Sequence, residues 1–310
     1  MSSTKKKIIH SLLLILTALI WGVAFVAQSK GGDAVGPYTF NTVRSFIGGL
    51  SLIPVILVLD KMKLSPKKPK NKEEQKILLK AGIICGVFLF IATNMQQLSI
   101  YLGASVGKAG FLTACYIVIV PVLGLFLHKK CGINIWIGVI LTLVGLKMIC
   151  LSDGGSIKAV DLLLIICAFC FALQIIAIDK YIPYVDGVRL SVIQFLVCAV
   201  LGIIPTFIFD MNHSLSEFEV WINAFASVNV WIAILYAGIM SCAIGYTLQI
   251  IGQEGLNPTI ASLLMSLESV FSVIAGAVIL NEMLSTHEIL GCILIFIAII
   301  LAQLPVKCRS

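Results

Sequence analysis

Long apolar runs follow one another along almost the whole chain, and they constrain its fold more than any other feature. Each run has about 18 to 24 residues, the length that a helix rising about 1.5 Å per residue needs to cross a hydrocarbon layer about 30 Å thick. None shows the alternation of a barrel strand, so we predict an all-α integral membrane protein with ten transmembrane helices. The runs lie at 8–28, 38–59, 77–100, 104–127, 135–151, 160–178, 188–209, 229–252, 257–280 and 288–305.

The composition is that of a chain that sits in lipid. Hydrophobic residues make up 59% of the 310 residues, and charged residues make up 12%. The mean hydropathy of +1.06 lies far above that of a water-soluble domain, which could not bury so much apolar surface. A soluble fold is therefore excluded.

Basic residues fall on alternate connections between the predicted helices. One side of the membrane receives 16 Lys and Arg residues, whereas the other side receives only Lys30 and Lys158. Because basic loops stay in the cytoplasm, we predict an inner-membrane protein with both termini cytoplasmic. The same bias accounts for the net charge of +7, so no nucleic-acid partner is predicted.

The longest predicted outer loop, 210–228, carries a second kind of helix. Its apolar side chains fall on one helical face, which predicts a short helix lying on the outer surface. These side chains are Leu215, Phe218, Trp221, Ile222 and Phe225.

Matching residues recur at a nearly constant separation of 151 to 153 positions. This offset indicates a duplicated unit, which we place at 8–151 and 160–305. Each unit has five predicted helices, and because five is odd the second unit enters the membrane from the opposite side. An inverted repeat of this kind is typical of carriers that work by alternating access. The pairs are Pro54 and Pro205, Gly103 and Gly255, Ala109 and Ala261, Gly124 and Gly276, and Gly138 and Gly291.

Short motifs are spread over essentially the whole chain. They are 21–25 (WGVAF), 38–48 around Arg44, 107–113 (GKAGFLT) with 116–121 (YIVIVP), and 266–271 (SLESVF) with 281–282 (NE). These motifs resemble those of the EamA branch of the drug/metabolite transporter superfamily. In the last of them, Ser269 stands where the family usually has proline.

The resemblance implies a secondary transporter of a small metabolite. Members of the family move amino acids, other metabolites or drugs, often outward. We therefore expect an amino acid or a related anionic or zwitterionic solute, carried outward across the inner membrane. The implied partners are this solute, the lipid bilayer and a coupling proton or ion.

Four ionisable residues fall at bilayer depth, where a charge is costly and tends to mark a cavity or a partner. Lys147 lies about one turn from the outer end of its run, so its side chain is expected to snorkel to the surface. Arg44 and Lys108 lie toward the outer face and either attract an anionic group or snorkel in the same way. Glu268 lies about ten residues from both ends of its run and has no such escape.

The depth of Arg44 makes it the matching partner for Glu268. The two side chains would form either a structural ion pair or a switch in which substrate or a proton displaces one partner. In a third alternative Glu268 remains unpaired and protonated. Polar and aromatic residues of other runs are further candidates for substrate binding, with helix packing as the alternative for each. They are Trp21, Asn94, Gln97, Tyr116, Gln174 and Tyr246.

Two other classes of protein compete with a carrier. An intramembrane enzyme would need a catalytic constellation, but the chain has no HExxH, GxSxG or Walker motif and its four histidines are dispersed. We therefore predict no enzyme activity, no metal and no cofactor. A flippase for a lipid-linked substrate, or a membrane sensor, remains the alternative use of the same scaffold.

Overall fold

The structure is a computed structural model that describes residues 3–65, 67–104, 106–127, 132–150, 159–211, 215–279 and 285–303. Over these residues it is a bundle of α-helices, two of which continue through π-helical segments at Thr206–Asp210 and Tyr236–Gly245. The helices are α1 Ser3–Val35, α2 Pro37–Lys61, α3 Lys72–Tyr101, α4 Val106–Ala114, α5 Tyr116–Phe126, α6 Ile133–Cys150, α7 Asp161–Tyr181, α8 Gly187–Pro205, α9 Leu215–Ala224, α10 Val228–Leu235, α11 Tyr246–Gln253, α12 Pro258–Met265, α13 Leu267–Ile279 and α14 Thr286–Gln303.

Eight helical segments of the described chain are long and apolar enough to cross a membrane. They coincide with eight of the ten predicted runs. The other two runs, 135–151 and 288–305, coincide with the shorter apolar helices Ile133–Met148 and Thr286–Ala302. The protein is therefore a multi-pass membrane protein.

The distribution of side chains is the reverse of that in a soluble protein. Large aliphatic side chains such as Leu57 and Val200 are 65% and 64% exposed, whereas Gln174 and Gln194 are fully buried. Because lipid solvates apolar groups and leaves polar groups unpaired, such a surface suits hydrocarbon and such an interior suits helix contacts.

Most contacts around the centre of the bundle involve five helices, α1, α2, α3, α7 and α8. Helix α3 packs against α7 and α8, and α2 packs against α8 and the Tyr236–Gly245 segment. Helix α1 packs against α10 to α13, α7 packs against α4 and α5, and α6 packs against α14 at the edge of the bundle.

Polar contacts hold the two ends of the bundle. At the end where α1 starts, called here the N-terminal end, Lys67 donates to Glu254 at 2.6 Å and to the carbonyl of Ile182 at 2.8 Å. At the opposite end, called the far end, the backbone N–H of Thr39 donates to Asp210 at 2.5 Å. Trp221 of α9 donates to the hydroxyl of Thr39 at 3.0 Å. The predicted surface helix is thus present, and it contacts the start of α2.

Two of the predicted runs are broken in the middle. The run at 104–127 divides into α4 and α5 at Cys115, and the run at 257–280 divides into α12 and α13 at Ser266. At the first break the backbone N–H of Cys115 donates to the carbonyl of Leu112 at 3.3 Å. At the second the hydroxyl of Ser266 donates to the carbonyl of Leu263 at 2.7 Å. These local bonds compete with the regular helical ladder, and sequence hydropathy does not show them.

Candidate functional site

A small cavity lies where the two broken helices meet α1, α2, α3, α7 and α11. Its volume is about 30 Å³, which is room for one or two water molecules and too small for a metabolite. In this conformation the cavity therefore has no room for a transported solute. The predicted candidates that line it are Trp21, Arg44, Tyr116, Tyr246 and Glu268.

Glu268 lies in the first turn of α13, directly after the break at Ser266. Its side chain is 5% exposed, and the hydroxyl of Tyr116 donates to its Oε1 at 3.3 Å. Tyr116 is the first residue of α5, directly after the break at Cys115. The two helix breaks therefore bring these side chains together, 152 positions apart in sequence.

Arg44 points into the same cavity from α2. The residue is 4% exposed, its Nε has no hydrogen-bond partner, and its guanidinium lies 5.4 Å from the ring centroid of Phe40. Among the described residues no ion pair joins Arg44 to Glu268. The structural ion pair that the sequence suggested is absent from this conformation, which leaves a guanidinium and a carboxyl group facing one small space.

Aromatic rings form the wall of the cavity. Trp21 packs on Tyr246 with ring centroids 4.5 Å apart, and Tyr246 meets Phe195 edge-on at 5.3 Å. Tyr116 meets Phe171 edge-on at 6.4 Å. The Nε1 of Trp21 is buried without a partner, so one polar donor of this wall is free for a bound group.

Three of the predicted candidates bond other helices and do not line the cavity. Asn94 accepts from Asn41 of α2 at 3.2 Å. Gln97 donates to the carbonyl of Gln28 at 2.9 Å, and Gln174 accepts from Gln249 at 3.1 Å. Of Lys108 only the backbone, within α4, is described; its side chain lies outside the described residues.

The structure adds nine lining residues to the predicted candidates. The amides Gln28, Gln96 and Gln249 carry a signal in the sequence, because an amide in an apolar run is unusual. The apolar members carry none, because such side chains are equally common on the lipid face. The nine are Phe25, Gln28, Gln96, Thr113, Phe171, Ile175, Ser241, Gln249 and Met265.

Among the described residues that line the cavity, Glu268 is the only acidic one, and none is His or Cys. In the described part of the chain, no three His, Cys, Asp or Glu side chains are grouped closely enough to hold an ion. Its polar groups are instead one guanidinium, one carboxyl group, amides and hydroxyls, the types of group that bind a small polar molecule by hydrogen bonds.

Comparison with known proteins gives the family to which this helical membrane protein belongs. The sequence matches the EamA-like transporter family over residues 8–151 and 158–304, so the chain belongs to that family. It is a transporter of the drug/metabolite type.

Individual proteins resemble the chain over nearly its full length. An uncharacterized transporter of Archaeoglobus fulgidus is 26% identical over 97% of this chain and 88% of its own. The uncharacterized transporter YoaV of Bacillus subtilis is 24% identical over 91% of this chain and 92% of its own. A solved crystal structure covers 95% of this chain and 96% of its own with a TM-score of 0.75 at 19% identity, a likeness in fold.

Proposed function

We propose that this protein is a secondary transporter that carries a small zwitterionic solute, of the amino-acid type, outward across the inner membrane by alternating access. The observation that carries the proposal is the small cavity in which Arg44 and Glu268 face one space without an ion pair between them. Both termini are cytoplasmic in this proposal, so the N-terminal end of the bundle is the inner end.

The two charged groups suit opposite ends of one solute. A buried guanidinium with a free Nε binds a carboxylate well, because it offers directed N–H donors. The Glu268 carboxylate in turn accepts a hydrogen bond from an ammonium group, or takes up a proton. A zwitterion satisfies both groups together, whereas a simple cation or anion leaves one of them buried without a partner.

The helix contacts support two units of five helices, at 8–151 and 160–305. The principal contacts map onto one another when the helices of one unit are exchanged for those of the other. The exchanged pairs are α1 with α7, α2 with α8, α3 with α10 and α11, α4 and α5 with α12 and α13, and α6 with α14. For example, the contact of α3 with α7 becomes that of α10 and α11 with α1, and both occur. Eight long apolar segments and two shorter apolar helices then make the ten spans.

The same exchange places Tyr116 and Glu268 at equivalent positions, because they are 152 residues apart. Two equivalent residues touch each other only close to the axis that relates the two units. The carboxyl group of Glu268 therefore lies at the centre of the proposed rocking movement, where it can remain in reach of solute from either side.

Two further equivalent residues, Gln97 and Gln249, each join two neighbouring helices, toward opposite ends of the bundle. Gln97 joins α3 to α1 at the far end, and Gln249 joins α11 to α7 toward the N-terminal end. Both side chains are 1% exposed, and the Oε1 of each is buried without a partner. We take them to be an outer and an inner gate.

Weakening one gate should favour opening on that side. The reporter is the cysteine of Ser241→Cys, which lies in the cavity. Gln97→Leu should raise its reactivity toward an impermeant thiol reagent added outside. Gln249→Leu should raise its reactivity toward the same reagent added inside. A hydrogen bond of about 1 kcal/mol corresponds to about a fivefold change. Each variant is the control for the other, and equal changes from both sides would argue against paired gates.

The transport proposal is tested with purified protein in liposomes preloaded with unlabelled solute. Labelled zwitterionic amino acids should exchange inward without ATP, whereas amines or carboxylic acids of similar size should exchange at least about tenfold more slowly. Arg44→Gln should abolish this preference, with Lys80→Gln, at an exposed position of α3 outside the cavity, as the control for loss of a basic residue. Movement of lipid without solute exchange would favour a flippase instead.

The proposed orientation has a separate test. Cysteines introduced at Ser156 or Ser216 should react with an impermeant reagent on intact cells. The native Cys131 and Cys308, which lie outside the described residues, should not react, because both fall on predicted cytoplasmic segments. Site-resolved mass spectrometry reports each position, and labelling of Cys131 from outside would reverse the orientation.

A further inference from the structure

A second concave site lies on the outside of the bundle at its N-terminal end, remote from the solute cavity. It is a groove of about 210 Å³ between the end of α2, the start of α3 and the start of α8. Ile56, Leu79, Val192 and Ile193 form apolar walls. Because α2 ends here and α3 and α8 begin here, the groove lies where the headgroup layer meets the acyl chains.

Basic residues surround the mouth of this groove. The segment 61–72 holds six lysines and no acidic residue. Lys67 and Lys68 are bonded to Glu254 and Asp60. Lys70 and Lys72 are exposed and have no ion pair among the described residues, and they follow Pro69, which lines the groove, by one and three positions.

The position of Lys72 directs this charge toward the groove. Lys72 lies one turn before Gln75 and two turns before Leu79 on the same face of α3, and both of those residues line the groove. Arg189, also in the lining, pairs with Asp60 at 2.6 Å and with Asp186 at 3.4 Å. Because two carboxylates already match this guanidinium, the unpaired charge beside the groove is that of Lys70 and Lys72.

We propose that this groove is a binding site for one anionic phospholipid of the surrounding bilayer. The acyl chain lies against the apolar walls, and the phosphate and the anionic headgroup lie beside Lys70 and Lys72. An apolar slot below a cluster of positive charge fits a lipid that combines a hydrocarbon tail with a net negative head. A zwitterionic lipid brings a choline group into the same positive field and is disfavoured.

Native mass spectrometry of the full chain in detergent tests the proposal, with dioleoylphosphatidylglycerol and dioleoylphosphatidylcholine as the probes. Wild-type protein should retain the phosphatidylglycerol at least threefold more than the phosphatidylcholine. The double variant Lys70→Gln/Lys72→Gln should lose this preference. The matched control Lys6→Gln/Lys7→Gln removes the same charge at the start of α1 and should keep it.

A second variant separates a built groove from general attraction to basic loops. Leu79→Trp keeps every charge and fills the groove, and Leu79 is 46% exposed, so the change leaves the core intact. This substitution should lower retention of the phosphatidylglycerol at least threefold. Equal retention of the two lipids by wild type, an equal loss in the Lys6/Lys7 control, or full retention by Leu79→Trp would each overturn the proposal.

Discussion

Glu268→Gln should reach the membrane at wild-type abundance and lose transport driven by a pH gradient, at least about tenfold. Glutamine has the shape of glutamic acid and still accepts from the hydroxyl of Tyr116, but it neither carries a charge nor takes up a proton. No stranded partner is left behind, because the described residues contain no cation paired with Glu268. Removing one member of a buried ion pair would instead lower the folded yield strongly.

The measurement is uptake into liposomes over a range of pH values, with protein amount determined in parallel. Glu219→Gln is the matched control, since it makes the same chemical change at an exposed position of α9. It should leave the pH profile unaltered. Wild-type rate and pH dependence in Glu268→Gln would remove Glu268 from the transport cycle.

Gly22→Ala should be the most destabilising conservative change in the first helix. A Cβ at Gly22 would lie 2.6 Å from the Cβ of Phe271 and 2.8 Å from the backbone carbonyl of Glu268. Neither atom can move by a side-chain rotation, so α1 and α13 must separate. Overpacking typically costs about 1 to 3 kcal/mol, and a contact with backbone belongs at the upper end.

Thermal unfolding in detergent and membrane abundance report this loss. Gly110→Ala is the control, because a Cβ there meets nothing closer than Ser269 Oγ at 3.8 Å. Both glycines are helical, so both changes gain the same intrinsic helix propensity. Comparable thermal midpoints for the two variants would show that the packing of α1 on α13 tolerates an added methyl group.

Hydropathy alone located the membrane helices well. The predicted run at 38–59, for example, corresponds to Pro37–Lys61, and the surface helix corresponds to Leu215–Ala224. Such segments are local, because length and apolar content decide them. The breaks at Cys115 and Ser266 depend on bonds within single turns, and the sequence pattern gave no sign of them.

The candidate site was predictable only in part. Sequence position gives the depth of a residue in the bilayer but not the direction in which its side chain points. Arg44 and Glu268 have compatible depths and do reach one cavity, yet Glu268 bonds Tyr116 and no ion pair with Arg44 forms. Gln97 and Gln174 are as polar as Gln96 and Gln249, and only packing decides which of them line the cavity.

Transport by alternating access requires above all that the cavity opens in turn to each side of the membrane. Ser241 tests this opening most directly, because it lines the cavity, is 3% exposed and carries no charge. The measurement is labelling of Ser241→Cys by an impermeant thiol reagent in right-side-out and in inside-out vesicles, read by site-resolved mass spectrometry. We expect labelling from both sides, slowed by transported solute in each case. Labelling from one side only, or labelling that solute does not slow, would contradict alternating access.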